Sequence, residues 1–345
     1  MSNCDIIIPV WNQLECTRDC VNSIERNTAY PYRFIIIDNA SAGPAAGYLK
    51  SLAEKNPERF SVIRNDINEG FIKAVNKGIK ASGAKYVCLL NNDTVVAPGW
   101  LGELVKVAES DNSIGIVNPS SNTLGQNLSN GRMPADYARE ARSESGGFVE
   151  LTKGFGFCMF MKRRLFEEIG LFDEIYGMGN FEDTDFSMRA QSKGYRSVRA
   201  IASYVYHRES RSFNLFSDFK ERFDQNKRIF ESRWGGIKRI VIISKDTGSA
   251  SLEKFRSILN EYPKERSWVS IITPPFDTRE LFKEHSNLSV YHPGCAFYIS
   301  AFLKVAFKKK RPGVIYADKE RFADFIRYFT KNKNLVSKKI TGTEK

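Results

Sequence analysis

The stretch Asn91-Asn92-Asp93 sets three carbonyl-bearing side chains directly after the apolar run Val87–Leu90. Two kinds of chemistry explain such a stop. Asn and Asp bond to their own backbone and tolerate unusual dihedrals, so a turn is one. A site for a hard divalent cation is the other, because such ions take oxygen ligands from a fixed scaffold. Further along, Glu182-Asp183-Thr184-Asp185 opens a helical pattern. Carboxylates in a first turn are favoured by the helix dipole, and capping alone would account for these. Asp185 and Arg189 stand four residues apart and read as a surface ion pair. His207 closes the β-rich run Ser203–His207 and reads as a structural histidine.

The elements that must carry these groups alternate in type. Cys4–Val10, Arg33–Asp38, Phe60–Asn65 and Lys85–Asn91 read as strands. Helices are expected near Leu14–Arg26, Ala45–Glu54 and Phe71–Ala81, the first with Cys16, Cys20, Val21 and Ile24 on one face. A β-α-β-α-β-α-β order argues for a parallel, doubly wound sheet. Right-handed crossovers then bring the four strand ends to one edge, where open α/β sheets bind ligands. Three polar punctuations share that edge: Pro9-Val10-Trp11-Asn12, Asp38-Asn39-Ala40-Ser41 and Asn91-Asn92-Asp93. No GxGxxG follows the first strand and no P-loop occurs, so neither a dinucleotide site nor a P-loop NTPase is expected. The polar stretch Pro119–Gly147 is long for a connection and reads as a mobile functional loop. Gly154 and Gly156 look like strand glycines that let a ligand or another backbone approach.

Composition is that of a globular protein, with 42% hydrophobic and 27% charged residues. No apolar run approaches the roughly 20 residues that cross a bilayer, and the start lacks the features of a signal peptide. The six cysteines form no CxxC pair and read as reduced thiols in a cytoplasmic protein. The net charge of +12 is lopsided: Glu231–Lys345 holds 23 lysines and arginines against 12 acidic residues, a net of +11. Residues 1–232 and 233–345 are therefore expected to be separate modules, the second an α/β or helical unit. Aromatic-rich Phe297–Phe307 and Phe322–Phe329 lie beside basic runs, including Lys308-Lys309-Lys310-Arg311. A basic amphipathic helix suits an anionic membrane face, and a core-facing helix with a solvated basic end is the alternative. Oligomerisation is another use for such a module. No recognition motif supports a nucleic-acid partner.

Taken in order, "PVWN", "DNAS", "NEGFIKAVNKGI", "LLNNDTVV", "FEDTDFSMRA" and the later His207 resemble family 2 glycosyltransferases of the GT-A fold, a doubly wound, mostly parallel α/β architecture. The branch most similar is the rhamnosyltransferase-like one that builds bacterial surface polysaccharides. The resemblance covers about Asp5–His207 and implies roles for matched residues. Pro9, Val10, Trp11, Asn12, Asp38 and Asn39 would form the wall for the donor's base and ribose. Asn68, Glu69 and Gly70 would lie beside the nucleotide. Asn91, Asn92 and Asp93 correspond to the family's DXD metal motif, with Asn91 replacing its first Asp. Asp93 is then the lone carboxylate, and Mn2+ or Mg2+ would rely also on diphosphate oxygens and His207. Asp183 would be the general base and Glu182 would orient it or bind an acceptor hydroxyl. The implied reaction is inverting transfer of a sugar, from dTDP-rhamnose or a UDP-hexose, to a hydroxyl of a lipid-linked glycan at the inner face of the membrane. A sugar nucleotidyltransferase is the rival enzyme, but "PVWNQLE" lacks the Gly-rich, Arg-containing loop it needs. A non-catalytic nucleotide-sugar-binding protein is the other rival, and Asp93 and Asp183 both stand against it.

Overall fold

The computed structural model describes residues 3–129, 131–209, 219–236, 238–247, 249–262, 267–275, 287–294, 296–307, 312–330 and 335–340. Cys295 and Lys308-Lys309-Lys310-Arg311 lie outside them. The chain forms two compact units, Met1–Phe230 and Glu231–Lys345.

In the first unit, β1 (Cys4–Val10), β2 (Tyr32–Asp38), β3 (Phe60–Arg64) and β4 (Tyr86–Leu90) are parallel neighbours in the order β3-β2-β1-β4. Ile6, Ile7 and Ile8, like Ile35, Ile36 and Ile37, are fully buried on both faces of the sheet. That two-sided burial is why these strands are unbroken apolar runs instead of alternating ones. α1 (Leu14–Asn27), α2 (Gly43–Lys55) and α3 (Phe71–Ala81) are the crossovers. Six strands of this sheet, β1 to β4 with β6 (Ile114–Ser120) and β9 (Arg196–His207), run one way. Three run against them: β5 (Thr94–Val96), β7 (Phe148–Leu151) and β8 (Cys158–Lys162). The sheet is doubly wound and mostly parallel, as the alternation of elements predicts. α4 (Trp100–Ser110) packs beneath it with Trp100, Leu101, Leu104 and Val107 fully buried.

Three local expectations need correction. Pro119–Gly147 is not a structureless loop: it ends β6, forms short 3-10 turns at Asn122–Leu124 and Ala141–Glu144, and folds into α5 (Pro134–Glu140). Pro134 at the first helical position and Asp136 accepting from the Met133 amide start that helix. Gly154 and Gly156 precede β8 instead of lying in it. A Cβ on Gly154 would meet Ile116 Cγ2 at 2.9 Å as well as the flexible end of Met159 at 2.7 Å, so packing against the stiff Ile116 favours glycine there. The Asp185–Arg189 pair is internal: Asp185 is fully buried, 2.9 Å from Arg189 Nε, and Arg189 also binds the carbonyls of Ile169 and Leu171. It ties α7 (Glu182–Ser192) to the end of α6 (Arg163–Ile169).

The second unit is a second doubly wound sheet. β10 (Lys238–Ile243), β11 (Ser267–Ile272), β12 (Leu288–Tyr291), β13 (Val314–Ala317) and β14 (Val336–Lys339) are all parallel, in the order β12-β11-β10-β13-β14. One face is covered by α9 (Ser249–Asn260) through Phe255, Ile258 and Leu259. The other is covered by α10 (Phe297–Ala306) and α11 (Glu320–Thr330) through Phe297, Ala301, Val305, Ala323 and Ile326. Among the described residues no helix is long and apolar enough to cross a membrane.

Candidate active site

The residues singled out in the sequence gather at the C-terminal edge of the first sheet. Val10 pairs with Asp38 across β1 and β2, so the two loops that follow start side by side. They are then bonded together: Ser41 Oγ accepts from the Asn12 amide at 2.9 Å, and Asn12 Oδ1 accepts from the Ala42 amide at 2.9 Å. Asn12 sits at φ 58° to do so, a conformation that Asn tolerates better than most residues. Asp38 is 2% exposed, and its carboxylate receives the Ser41 amide at 2.8 Å and Arg64 Nη1. Asn39 holds the next loop, donating to the Gly70 carbonyl at 3.0 Å and accepting from Asn65 and from the Glu69 amide. Asn68 accepts from the Gly70 amide. Val10, Asn12, Asp38, Asn39, Asn68 and Gly70 thus form one bonded rim, with Pro9 and Trp11 in the same segment. Gly70 is required by more than conformation: at φ 85°, a Cβ would meet Met178 Sδ at 2.7 Å.

The second group is assembled by a long-range pairing. β5 runs antiparallel to β9 with Thr94 opposite His207. That register places His207 Nε2 3.1 Å from Asp93 Oδ1 and 3.5 Å from Asn91 Nδ2. His207 Nδ1 lies 3.0 Å from Thr123 Oγ1, and the Thr123 hydroxyl donates to Glu209 at 3.1 Å. A hydroxyl has one proton to give, so Thr123 accepts from Nδ1–H, and Nε2 faces the Asp93 carboxylate, where a proton or a cation between them would join the two groups. Phe157 stacks on the other side of the ring, 5.2 Å between centroids and 14° from parallel. Asn92 turns away and donates to Thr17 on α1 at 2.9 Å, so it anchors the loop. The turn reading of Asn91-Asn92-Asp93 is seen directly, since Thr94 Oγ1 donates to the Asn91 carbonyl at 2.8 Å, and Asp93 presents an oxygen beside an imidazole.

That donor set fits Mn2+ or Mg2+ held jointly with a substrate. Such ions are commonly bound by one or two carboxylates plus phosphate oxygens and waters, without a complete protein cage. Among the described residues no group of three or more His, Cys, Asp and Glu side chains could hold a metal alone. The outer partner on Nδ1, which fixes ring orientation, is the usual companion of a ligating histidine. Cys20, near Asn91 and Thr94, offers no nucleophile, because burial pushes its thiol up to about 12.

The third group opens α7. Asp183 does not cap its own helix. Its carboxylate is 3.1 and 3.2 Å from Lys153 Nζ, and it accepts from the Gly156 amide at 3.2 Å and the Thr184 hydroxyl at 3.0 Å. Glu182 is buried, and its Oε2 has no hydrogen-bond partner. Burial first, and the neighbouring Asp183 charge second, push its pKa up to about 8. Two adjacent carboxyls thus sit in different surroundings, Glu182 buried and Asp183 paired with Lys153.

Two features join these carboxyls to the rest of the site, and sequence reading missed both. One is the segment Lys153–Phe157: the Phe157 carbonyl accepts from the Asn91 amide at 2.9 Å, while Gly156 donates to Asp183. The Asp93–His207 pair and the Asp183 carboxylate are thereby fixed to consecutive residues. The second is α8 (Phe219–Trp234). Asn226 Nδ2 donates to the carbonyls of Tyr176 and Gly179 at 2.8 Å and of Asn180 at 3.3 Å, and Phe223 and Phe230 pack on Phe181. Asn180 and Phe181 sit at φ 77° and 73°, a strained left-handed pair that aims the first turn of α7. Strain of this kind costs on the order of 1–3 kcal/mol per residue and persists only where surroundings enforce it. The glycine pair Gly177 and Gly179 signalled a loop here, but nothing local in the sequence marks Asn226.

Residues 5–170 match the family model described as glycosyl transferase family 2. The putative glycosyltransferase EpsH of Bacillus subtilis (strain 168) is 22% identical over 333 residues, covering 93% of this chain and 92% of that protein. The uncharacterized protein y4gI of Sinorhizobium fredii is 26% identical over 254 residues, and there the aligned part is 66% of this chain but 27% of the relative. Among solved structures, the mannosyltransferase PcManGT from Pyrobaculum calidifontis, in complex with GDP-Man and Mn2+, superposes with a TM-score of 0.49 at 18% identity. That superposition covers 66% of this chain and 64% of the other.

Proposed function

We propose that the chain, whose residues 5–170 match the glycosyl transferase family 2 model, transfers a sugar from a nucleoside-diphosphate donor to a glycan hydroxyl with inversion at the anomeric carbon. The observation that carries this reading is the Asp93–His207 pair at the sheet edge, built by the β5–β9 register beside the bonded rim of Asn12, Asp38, Asn39 and Asn68. The rim would seat the nucleoside. Asp93 and His207 would hold Mn2+ or Mg2+ against the donor diphosphate. When bound, the cation neutralises the charge that develops on the diphosphate leaving group.

Asp183 is the general base. It takes the proton of the acceptor hydroxyl while that oxygen attacks the anomeric carbon; the bond to the diphosphate breaks and its electron pair leaves with the nucleoside diphosphate. Lys153 and the Gly156 amide hold the carboxylate in one orientation, and Glu182, protonated, adds no second negative charge beside it. A base placed this way contributes about 10²–10⁴-fold. One displacement needs no covalent sugar–enzyme intermediate. We assign dTDP-rhamnose or a UDP-hexose as donor and a lipid-linked glycan as acceptor on the resemblance of the motifs to the polysaccharide-building branch.

The test is a panel of nucleotide sugars incubated with purified protein, with Mn2+, with Mg2+ and with EDTA, scoring nucleoside diphosphate release. Release from one donor, lost in EDTA, is expected. A protein that instead consumes a sugar 1-phosphate and a nucleoside triphosphate is a nucleotidyltransferase.

A further inference from the structure

In the second unit, α10 is apolar on two opposite sides. Phe297, Ala301 and Val305 repeat every four residues and are buried against the sheet. Ile299, Leu303 and Phe307 repeat at the same spacing but point outward, Phe307 at 73% exposed. The inner stripe is what the fold needs; the outer one contributes nothing to its core. α11 repeats the pattern, with Ala323 and Ile326 inside and Phe325, Tyr328 and Phe329 outside, Tyr328 at 85% exposed. Phe302 lies between the helices, 5.4 Å from Phe325 and 4.8 Å from Phe329, so the two outer stripes merge into one patch. Monomeric proteins rarely expose large side chains contiguously in this way unless something covers them.

Charge identifies the cover. α10 has one charged residue, the exposed Lys304, and α11 has four: Glu320, exposed Arg321 and Arg327, and exposed Asp324. The Asp324 carboxylate is taken by the Ser337 hydroxyl at 2.6 Å. β12, β13 and β14 all point the same way, and α10 and α11 return the chain between them, so both helices end at one edge of the sheet. Lys308-Lys309-Lys310-Arg311 follows the end of α10 in the sequence, and Lys331 and Lys333 follow the end of α11. A face with exposed Lys304, Arg321 and Arg327, on helices that lead in sequence into further lysines, does not suit a second copy of itself, which would set like charge against like. It suits a surface that is apolar within and anionic at its boundary.

We propose that the outward face of α10 and α11 docks the protein on an anionic lipid leaflet, with Leu303, Phe307 and Phe329 entering the acyl boundary and Lys304, Arg321 and Arg327 facing headgroups. Stable peripheral binding takes two weak signals together, and this face has both. The proposal stands independently of the sugar-transfer reading, because binding is read without turnover.

The experiment is co-sedimentation of the full chain with phosphatidylcholine vesicles, with and without about 30% phosphatidylglycerol, at low and high salt. Binding only to the anionic vesicles is expected, weakening as salt rises because screening shortens the reach of exposed charge. The pair Leu303→Glu and Phe329→Glu, both on exposed positions, should cut partitioning by about tenfold or more. Their unfolding curve should match wild type. In a second variant, Phe307→Trp, the added emission should be quenched by brominated acyl chains. Equal binding to both vesicle types, or binding unchanged by the double substitution, overturns the proposal. So does a wild-type dimer that ignores vesicles and falls to monomer in the Leu303→Glu, Phe329→Glu protein, which would assign the face to a second copy.

Discussion

Asp183 meets an ammonium, an amide and a hydroxyl, and that crowding decides what its substitution should do. Asp183→Asn preserves the shape and can still accept from Gly156, so donor affinity should hold while turnover falls by about 10² or more. Turnover within a few-fold of wild type would place the base elsewhere. Glu182 makes a separate prediction through pH. Its folded pKa of about 8 lies above the 4.5 of an ordinary glutamate, so the folded state holds its proton more tightly than the unfolded chain does. The stability this contributes is whole below about pH 4.5 and is lost as pH rises through about 8. Glu182→Gln cannot ionise. Relative to wild type it should gain stability between pH 6 and pH 8.5, by on the order of 1 kcal/mol or more. Urea unfolding at both pH values reads the difference, and no change with pH would mean that Glu182 is ionised in the native protein.

α8 is the element whose role is least visible locally. Asn226 is buried and binds three carbonyls of the segment before α7, so Asn226→Ala removes that donor from all three, and only the Tyr176 carbonyl keeps the Gly179 amide. Losing buried hydrogen bonds of this kind costs about 1–3 kcal/mol. The expected phenotype is a lowered unfolding midpoint together with reduced kcat at nearly unchanged donor affinity, measured on the same preparation. A drop in stability with kcat intact would make the contact purely structural. The elements of the first sheet were legible for a physical reason: strands buried on both faces must be continuous apolar runs, and Ile6–Ile8 and Ile35–Ile37 are such runs. The edge residues followed from them. What stayed hidden was placed by pairings distant in sequence. Thr94 meets His207, Lys153 meets Asp183, and Asn226 meets Gly179, and no local pattern encodes any of the three. The second sheet was only partly legible because β12, β13 and β14 are four-residue strands, too short for periodicity to separate them from loops.

At the scale of the whole molecule, the chain forms two units, each built on its own sheet. The first unit carries the polar edge with its acidic and histidine groups, and the second carries +11 of the net charge of +12. The central claim concerns the first: the edge of β4, β5 and β9 is a donor-diphosphate site completed by a divalent cation. Titration calorimetry of nucleoside diphosphate into the full chain tests it without an acceptor or turnover. Binding in Mn2+ should disappear in EDTA and in Asp93→Ala, whose unfolding curve should stay close to wild type, and should persist in Asp183→Asn. Affinity that is the same with EDTA and in Asp93→Ala as in the wild type with Mn2+ would contradict the account.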